Sequence, residues 1–247
     1  MNVQFAIDHE KIYILEVNPR ASRTIPFISK ATGLPLVKIA SELMIGKKLK
    51  SFNLVEKIPH NLTCVKRSVF PFIKYPDEDG VLGPEMKSTG EVMAVEQNFP
   101  MAFAKAAEAV HVPLPTGGCV FISVKDEDKI RVVEVSQELQ KLGFKVVSTR
   151  GTADFLEYKG LKNIKTINKV LEGPPHIVDL LKTDEVHLII NTTIGEKSLR
   201  DSFSIRRTAL ERNIPYFTTI ASARGAVSAI SAIQKNKDFR IYNLQEL

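Results

Sequence analysis

The stretch from Val120 to Thr152 decides the fold. It opens on Val120-Phe121-Ile122-Ser123-Val124, an apolar run that reads as a buried strand. Lys129 to Leu142 follows with apolar residues at helical spacing and stops at Gly143. Phe144-Lys145-Val146-Val147-Ser148-Thr149 is a second strand, and Arg150-Gly151-Thr152 leads from it into another helix. Strands that alternate with helices, and that are apolar on both faces, form a parallel sheet covered by helices on both sides.

The same alternation continues toward the C-terminus. A short strand near Ile164–Thr166 is followed by a helix at Ile177–Lys182 and a buried strand at Val186–Ile190. A long helix over roughly Ser198 to Arg212, a strand at Tyr216–Thr218 and an alanine-rich helix from Ala223 to Ile233 complete it. In the other direction, His111-Val112-Pro113-Leu114-Pro115-Thr116-Gly117-Gly118 is a linker with two prolines and two glycines. Ahead of it, Val3–Ile7 and Ile12–Val17 read as strands around the turn Asp8-His9-Glu10-Lys11, and Leu36–Met44 as a helix. Residues 62–72 and 84–95 read as strands, Asp77-Glu78-Asp79-Gly80 as a loop, and Ala102–Val110 as a helix. The fold class is α/β, with an incomplete α+β piece over 1–112 and a complete small α/β domain over 118–247. A piece that begins inside a hairpin implies missing elements upstream.

Composition narrows the function classes. The 247 residues carry 34 Lys+Arg and 28 Asp+Glu, a net charge of +6, with 44% apolar residues. Residues 1–115 hold 14 basic and 12 acidic side chains and residues 116–247 hold 20 and 16, so the surplus is spread as +2 and +4. Interleaved charges without Trp or a basic stripe argue against a nucleic-acid binder and suit a small-anion site or a solvated surface. No apolar run has membrane-spanning length, and the N-terminus lacks the pattern of a signal peptide. The expectation is a cytoplasmic protein with neither membrane nor nucleic-acid partner. Cys64 and Cys119 lie in apolar strands and read as structural thiols, and His187 as a core residue. No Gly-x-Ser-x-Gly, Walker or dinucleotide fingerprint is present.

Two constellations carry chemistry. In the second piece, strand ends lead into helix N-termini, where ligands of such sheets bind. Ser148-Thr149-Arg150-Gly151-Thr152 and Asn191-Thr192-Thr193 occupy such turns, Ser123 and Lys129 flank a third, and Lys169 lies beyond another strand. Hydroxyls, helix N-termini and lysines together suit a phosphate, while helix capping by Ser and Thr is the competing reading. In the first piece, Glu16 and Asn18 share one strand face and Gln4 can lie beside them. Their oxygens suit Mg²⁺ or Mn²⁺, with Arg20 and Arg23 placed to neutralise a phosphoryl group. A strand-end ion pair followed by a turn explains the same residues equally well.

Glu16-Val17-Asn18-Pro19-Arg20-Ala21-Ser22-Arg23-Thr24-Ile25-Pro26-Phe27-Ile28-Ser29-Lys30-Ala31-Thr32-Gly33 resembles the end of the second ATP-grasp unit of the carbamoyl phosphate synthase large subunit. Leu82 to Met93 is a second block of that family. Ser148–Thr152, Asn168–His176, Ile190–Thr193 and Ile205–Arg207 are similar to its regulatory domain, which has the methylglyoxal-synthase-like fold. The resemblance implies an ATP-dependent ligase that makes carbamoyl phosphate from bicarbonate and glutamine-derived ammonia, for pyrimidine and arginine biosynthesis. It implies the rest of the large subunit and a small glutaminase subunit as partners. By the same resemblance Gln4, Glu16 and Asn18 bind metal and ATP, and Arg20 and Arg23 lie beside the nucleotide phosphates. Ser123, Lys129, Thr149, Thr152, Lys169, Asn191 and Thr193 would hold a nucleotide effector of the uridine or inosine monophosphate type.

Two departures bear on regulation. Relatives that respond to ornithine carry a glutamate where this chain has Arg67. In relatives a basic pair follows the glycine that here, as Gly195, precedes Glu196-Lys197, which leaves the identity and sign of the nucleotide effector open. The family's ATP-grasp unit begins upstream, and Met1 coincides with an internal methionine of relatives. The expectation is therefore a C-terminal fragment, split-gene product or shortened gene model that makes no carbamoyl phosphate alone. The alternatives are a stand-alone nucleotide-binding regulatory module and a methylglyoxal-synthase-like lyase. The lyase is disfavoured because Glu172-Gly173-Pro174-Pro175-His176 lacks the Gly-Asp-Gln segment of that enzyme.

Overall fold

The computed structural model describes residues 1–54, 61–75, 79–83, 85–236 and 238–243. The chain forms two compact units, one of residues 1–64 with 240–247 and one of residues 65–239.

In the first unit, β1 (Asn2–Asp8) pairs antiparallel with β2 (Lys11–Asn18), and Gln4 lies opposite Glu16 next to a register shift. α1 (Thr24–Thr32) ends on Gly33, whose φ of 67° gives the left-handed C-cap that glycine adopts without strain. α2 (Leu36–Met44) turns Ile39 inward. The hairpin is apolar on both faces, yet Phe5, Ile7, Ile12, Ile14, Leu15 and Val17 are 51–73% exposed. A two-stranded ribbon is marginal by itself in water, and this one is apolar enough for both of its faces to be covered.

The second unit opens with β3 (Thr63–Val69) and β4 (Gly90–Glu96), which form a two-stranded sheet. β4 starts later than the sequence suggests, because Glu85-Met86-Lys87-Ser88 lacks the β-branched residues that favour strand. Of the expected loop, Asp77 and Glu78 lie outside the described residues, as does Pro84 of the expected strand. α3 (Phe99–Ala109) is capped by Asn98, whose side chain accepts from Met101 N at 3.0 Å.

β5 (Gly118–Ser123), α4 (Lys129–Lys141), β6 (Phe144–Thr149), α5 (Arg150–Tyr158), β7 (Ile164–Ile167), α6 (Ile177–Lys182) and β8 (Leu188–Asn191) follow in alternation. Then come α7 (Gly195–Asp201), α8 (Phe203–Glu211), β9 (Tyr216–Phe217) and α9 (Ile220–Lys235). The five strands are parallel in the order β7-β6-β5-β8-β9. Side chains alternate across the sheet, so the core has two halves. Val120, Ile122, Leu188 and Ile190 pack with α4, α9 and Ala104 and Ala107 of α3. Phe121, Val147 and Ile189 pack with α6 and with Ile205 and Ala209 of α8.

The expected long helix over Ser198 to Arg212 is broken into α7 and α8 at Ser202. Ser202 N is shared between Ser198 O at 3.2 Å and Leu199 O at 3.3 Å, a tightened last turn that redirects the chain.

Replacing Ile190, which is fully buried, with alanine is expected to cost about 2–5 kcal/mol in denaturant unfolding. Ile130→Ala on the outer face of α4 is expected to stay within about 0.5 kcal/mol of the parent.

Candidate functional site

Parallel register brings the strand ends together. Ser123 lies opposite Asn191, and Ile122 opposite Ser148, so the carboxyl ends of β5, β6 and β8 open onto one cavity of about 710 Å³. Ser123, Lys129, Thr149, Thr152, Lys169 and Asn191 all line it. Thr193 is not among the lining residues, whereas its neighbour Thr192 is.

The hydroxyls are held for donation rather than used as caps. Thr149 stands at the N-cap of α5 but makes no side-chain cap bond, and its hydroxyl pairs with that of Ser123 at 3.1 Å. Thr219, by contrast, does cap α9 through Ser222 N at 3.1 Å. Thr152 Oγ1 accepts from Val124 N at 3.3 Å, and Thr192 Oγ1 accepts from Lys125 N at 3.1 Å. A hydroxyl that accepts in this way keeps its own proton for another partner. The first turn of α5 therefore faces the cavity with its backbone N–H groups uncapped, a natural seat for an anion. A Cβ on Gly151 would meet Lys129 Nζ at 3.8 Å, which places the ammonium over that turn.

Net charge does not make this cavity an anion site. Lys125, Lys129, Lys169 and Lys197 are matched by Asp126, Glu127, Glu172 and Asp201. The preference comes from arrangement, with Lys129 and the uncapped turn on one wall. Asp126 pairs with Lys129 at 2.8 Å, and that hydrogen bond and charge, joined by the charge of Lys169, hold its carboxyl below the usual range. Apolar side chains line the remainder, with Phe121 and Ile177 buried and Leu171 and Ile194 exposed.

Asn191 is buried, and its amide donates to Tyr216 Oη at 2.7 Å and to Ser202 Oγ at 3.1 Å. Tyr216 and Ser202 carry no local motif, so sequence reading had no signal for them. Asp126 and Thr192 sit next to residues it did single out. Cys64 and Cys119 are free, and burial pushes both thiols up, which disfavours the reactive thiolate. His187 is not the expected core residue: it is exposed and lies just before β8, where the neighbouring side chains Val186 and Leu188 turn inward, and its Nδ1 accepts from Cys119 N at 3.3 Å.

In the first unit, Gln4 Nε2 donates to Glu16 Oε1 at 3.5 Å, and Asn18 Nδ2 donates to the same oxygen. Arg20 Nη1 donates to Ala21 O at 3.0 Å. Gln4, Glu16 and Asn18 are thus gathered around one carboxylate. Among the described residues no group of three His, Cys, Asp or Glu side chains could hold a metal by itself. One carboxylate with two amide oxygens is a donor set for a hard cation that takes its remaining ligands from water or phosphate. Here both amide nitrogens face Glu16, so both amides would have to turn to present their oxygens.

Residues 131–218 match the family described as MGS-like domain, and residues 1–52 match the carbamoyl-phosphate synthase L chain, ATP binding domain. A carbamoyl phosphate synthase large chain from Pseudomonas putida is 54% identical over 230 residues, covering 93% of this chain and 21% of that protein. One from Methanobrevibacter smithii is 50% identical over 239 residues, covering 96% and 22%. The crystal structure of a methylglyoxal synthase from Elizabethkingia anophelis aligns with a TM-score of 0.39 at 18% identity, covering 47% of this chain and 80% of that one. The chain is related over nearly its whole length to carbamoyl phosphate synthase large chains, and it spans about a fifth of the length of these relatives.

No described helix is long and apolar enough to cross a membrane. Asp126→Asn is expected to strengthen binding of inorganic phosphate up to about fivefold in calorimetry, because the carboxylate competes for Lys129. Burial raises the Tyr216 hydroxyl above its ordinary value, although Asn191 and Arg206 oppose the shift. The fold therefore prefers the neutral phenol. Its contribution to stability is intact below the ordinary tyrosine range and is lost as pH rises through the raised value, which alkaline unfolding of Tyr216→Phe against the parent measures.

Proposed function

We propose that this chain serves as the C-terminal part of a carbamoyl phosphate synthase large subunit, with its ATP-grasp portion over 1–112 and a nucleotide-responsive regulatory domain over 118–247. The observation that carries the reading is the cavity at the carboxyl ends of β5, β6 and β8. There an uncapped helix turn, Lys129, Lys169 and the hydroxyls of Ser123, Thr149, Thr152 and Thr192 converge beside an apolar wall. That combination suits a phosphate monoester joined to a sugar and a flat base, of the uridine or inosine monophosphate type. Lys129, Lys169, Thr149, Thr152 and the N–H groups of α5 would take the phosphate, and Ser123 and Asn191, with Thr192 in the place expected of Thr193, would serve the rest of the ligand.

The first unit would supply chemistry to the ligase. Glu16, with the oxygens of Gln4 and Asn18, would hold Mg²⁺ or Mn²⁺, a cation that supplies charge neutralisation to ATP phosphates when bound. Arg20 and Arg23 would then steady the phosphoryl group. The remainder of the large subunit would cover the apolar faces of the β1–β2 hairpin, and a small glutaminase subunit would deliver ammonia. The whole assembly would work in the cytoplasm. The chain alone would bind its effector without making carbamoyl phosphate. A stand-alone regulatory module is the second reading, favoured because every cavity residue lies within residues 65–239.

Uridine or inosine monophosphate at about 100 times its dissociation constant is expected to stabilise the folded chain by about 2.7 kcal/mol, read as a rise in melting temperature. Thr152→Ala/Lys169→Ala should lose that rise. A cooperatively melting chain that responds to neither nucleotide would overturn the effector reading.

A further inference from the structure

The polar chain that begins at Asn191 leads out of the cavity. Both hydrogens of its amide are engaged, by Tyr216 Oη at 2.7 Å and Ser202 Oγ at 3.1 Å, which leaves Oδ1 as the free acceptor of that side chain. The Arg206 charge on α8 acts on the same Tyr216 hydroxyl, and the Leu199 carbonyl that Arg206 holds also accepts from Ser202 N at 3.3 Å. Arg206 Nε also donates to Asp79 Oδ1 at 2.7 Å, Nη2 to Asp79 Oδ2, and Nη2 to Leu199 O at 2.7 Å. The Arg206 side chain is 9% exposed and that of Asp79 31%. Burial works against the Arg206 charge, and Asp79 more than compensates, so the guanidinium is held firmly protonated. The next residue, Arg207, donates Nη1 to Phe72 O and Tyr75 O, each at 3.1 Å. Consecutive arginines of α8 thus fasten the connection between β3 and β4, one through a bidentate carboxylate and one through backbone carbonyls.

Asp79, Arg206 and Tyr216 do not line the cavity, yet Tyr216 and Ser202 hold Asn191, which does, and Arg206, paired with Asp79, fastens the Leu199 carbonyl that Ser202 N shares. A bidentate pair with one member buried breaks as a unit, because Arg206 without Asp79 is a buried charge lacking its partner. The guanidinium would then seek other acceptors, and the Leu199 carbonyl and the Tyr216 hydroxyl would lose the charge held beside them.

We propose that Tyr216 and Arg206 are positioning residues for the cavity, which fix the Asn191 amide and couple it to Asp79 in the connection between β3 and β4. This inference rests on the nucleotide reading of the cavity. It makes ligand affinity depend on a carboxylate outside the site and, by reciprocity, makes the Asp79–Arg206 pair respond to ligand.

The test uses the full chain with uridine and inosine monophosphates as probes. Dissociation constants are measured by calorimetry for the parent, Asp79→Asn, Tyr216→Phe and the double variant. Asp184→Asn is the control, since it removes a 3.0 Å ion pair with Arg212 just past the C-terminal end of α8. Each single variant is expected to bind about fivefold more weakly or worse, the double variant no more weakly than the worse single one, and the control like the parent. A merely structural role would make the two losses multiply. Tyr216→Phe removes one hydroxyl and carries the test where Asp79→Asn fails to fold. Parent-like affinity in the single variants, or losses that multiply, overturns the coupling while leaving the nucleotide reading intact. A parent chain that binds neither nucleotide overturns the nucleotide reading, and the coupling to a ligand with it. A ligand-free measurement separates the positioning half: the Asn191 side-chain amide resonance is expected to shift in Asp79→Asn and stay in place in Asp184→Asn. An unmoved resonance in Asp79→Asn overturns the positioning role.

Discussion

The parallel register of β5 between β6 and β8 is the constraint on which the rest of the second unit depends. It aligns the carboxyl ends of three strands, so Ser123, Thr149 and Asn191 reach the same wall of one cavity. The register is specified because both faces of the sheet are buried. A slip by one residue would exchange Val120 and Ile122 with Phe121 across the sheet and misfit both halves of the core at once. The site therefore inherits its precision from apolar packing, while its own polar groups need only complete local hydrogen bonds.

Within that frame the cavity is not strongly charged. Lysines and carboxylates balance around it, and the features that favour an anion are directional ones. They are the uncapped first turn of α5, hydroxyls whose oxygens already accept from backbone N–H groups, and the Lys129 ammonium above Gly151. Asp126 already pairs with that ammonium, so a bound anion meets a built-in competitor. Such a balance limits non-specific attraction of anions and leaves geometry to discriminate.

The two units differ in how completely they satisfy themselves. The second buries two apolar clusters around its sheet, whereas the β1–β2 hairpin exposes apolar residues from both strands. Gln4, Glu16 and Asn18 sit on that exposed ribbon, gathered by register around one carboxylate. The relatives are about five times the length of this chain.

The amino-acid sequence by itself determined the alternation of strands and helices, the parallel sheet and most of the cavity wall. Those features arise from local periodicity and from residues at strand ends, which neighbours in the chain specify. Ser123, Lys129, Thr149, Thr152, Lys169 and Asn191 were legible for that reason. The break at Ser202 was not, because residues 198–212 have helical spacing throughout and the turn depends on a tightened hydrogen-bond pattern. Nor were the bonds from Asn191 to Tyr216 and from Arg206 to Asp79, the second of which spans 127 residues of sequence. Only the tertiary structure decides such contacts. They satisfy buried polar groups, and which partners are close enough to do so is fixed by the packing of the whole unit.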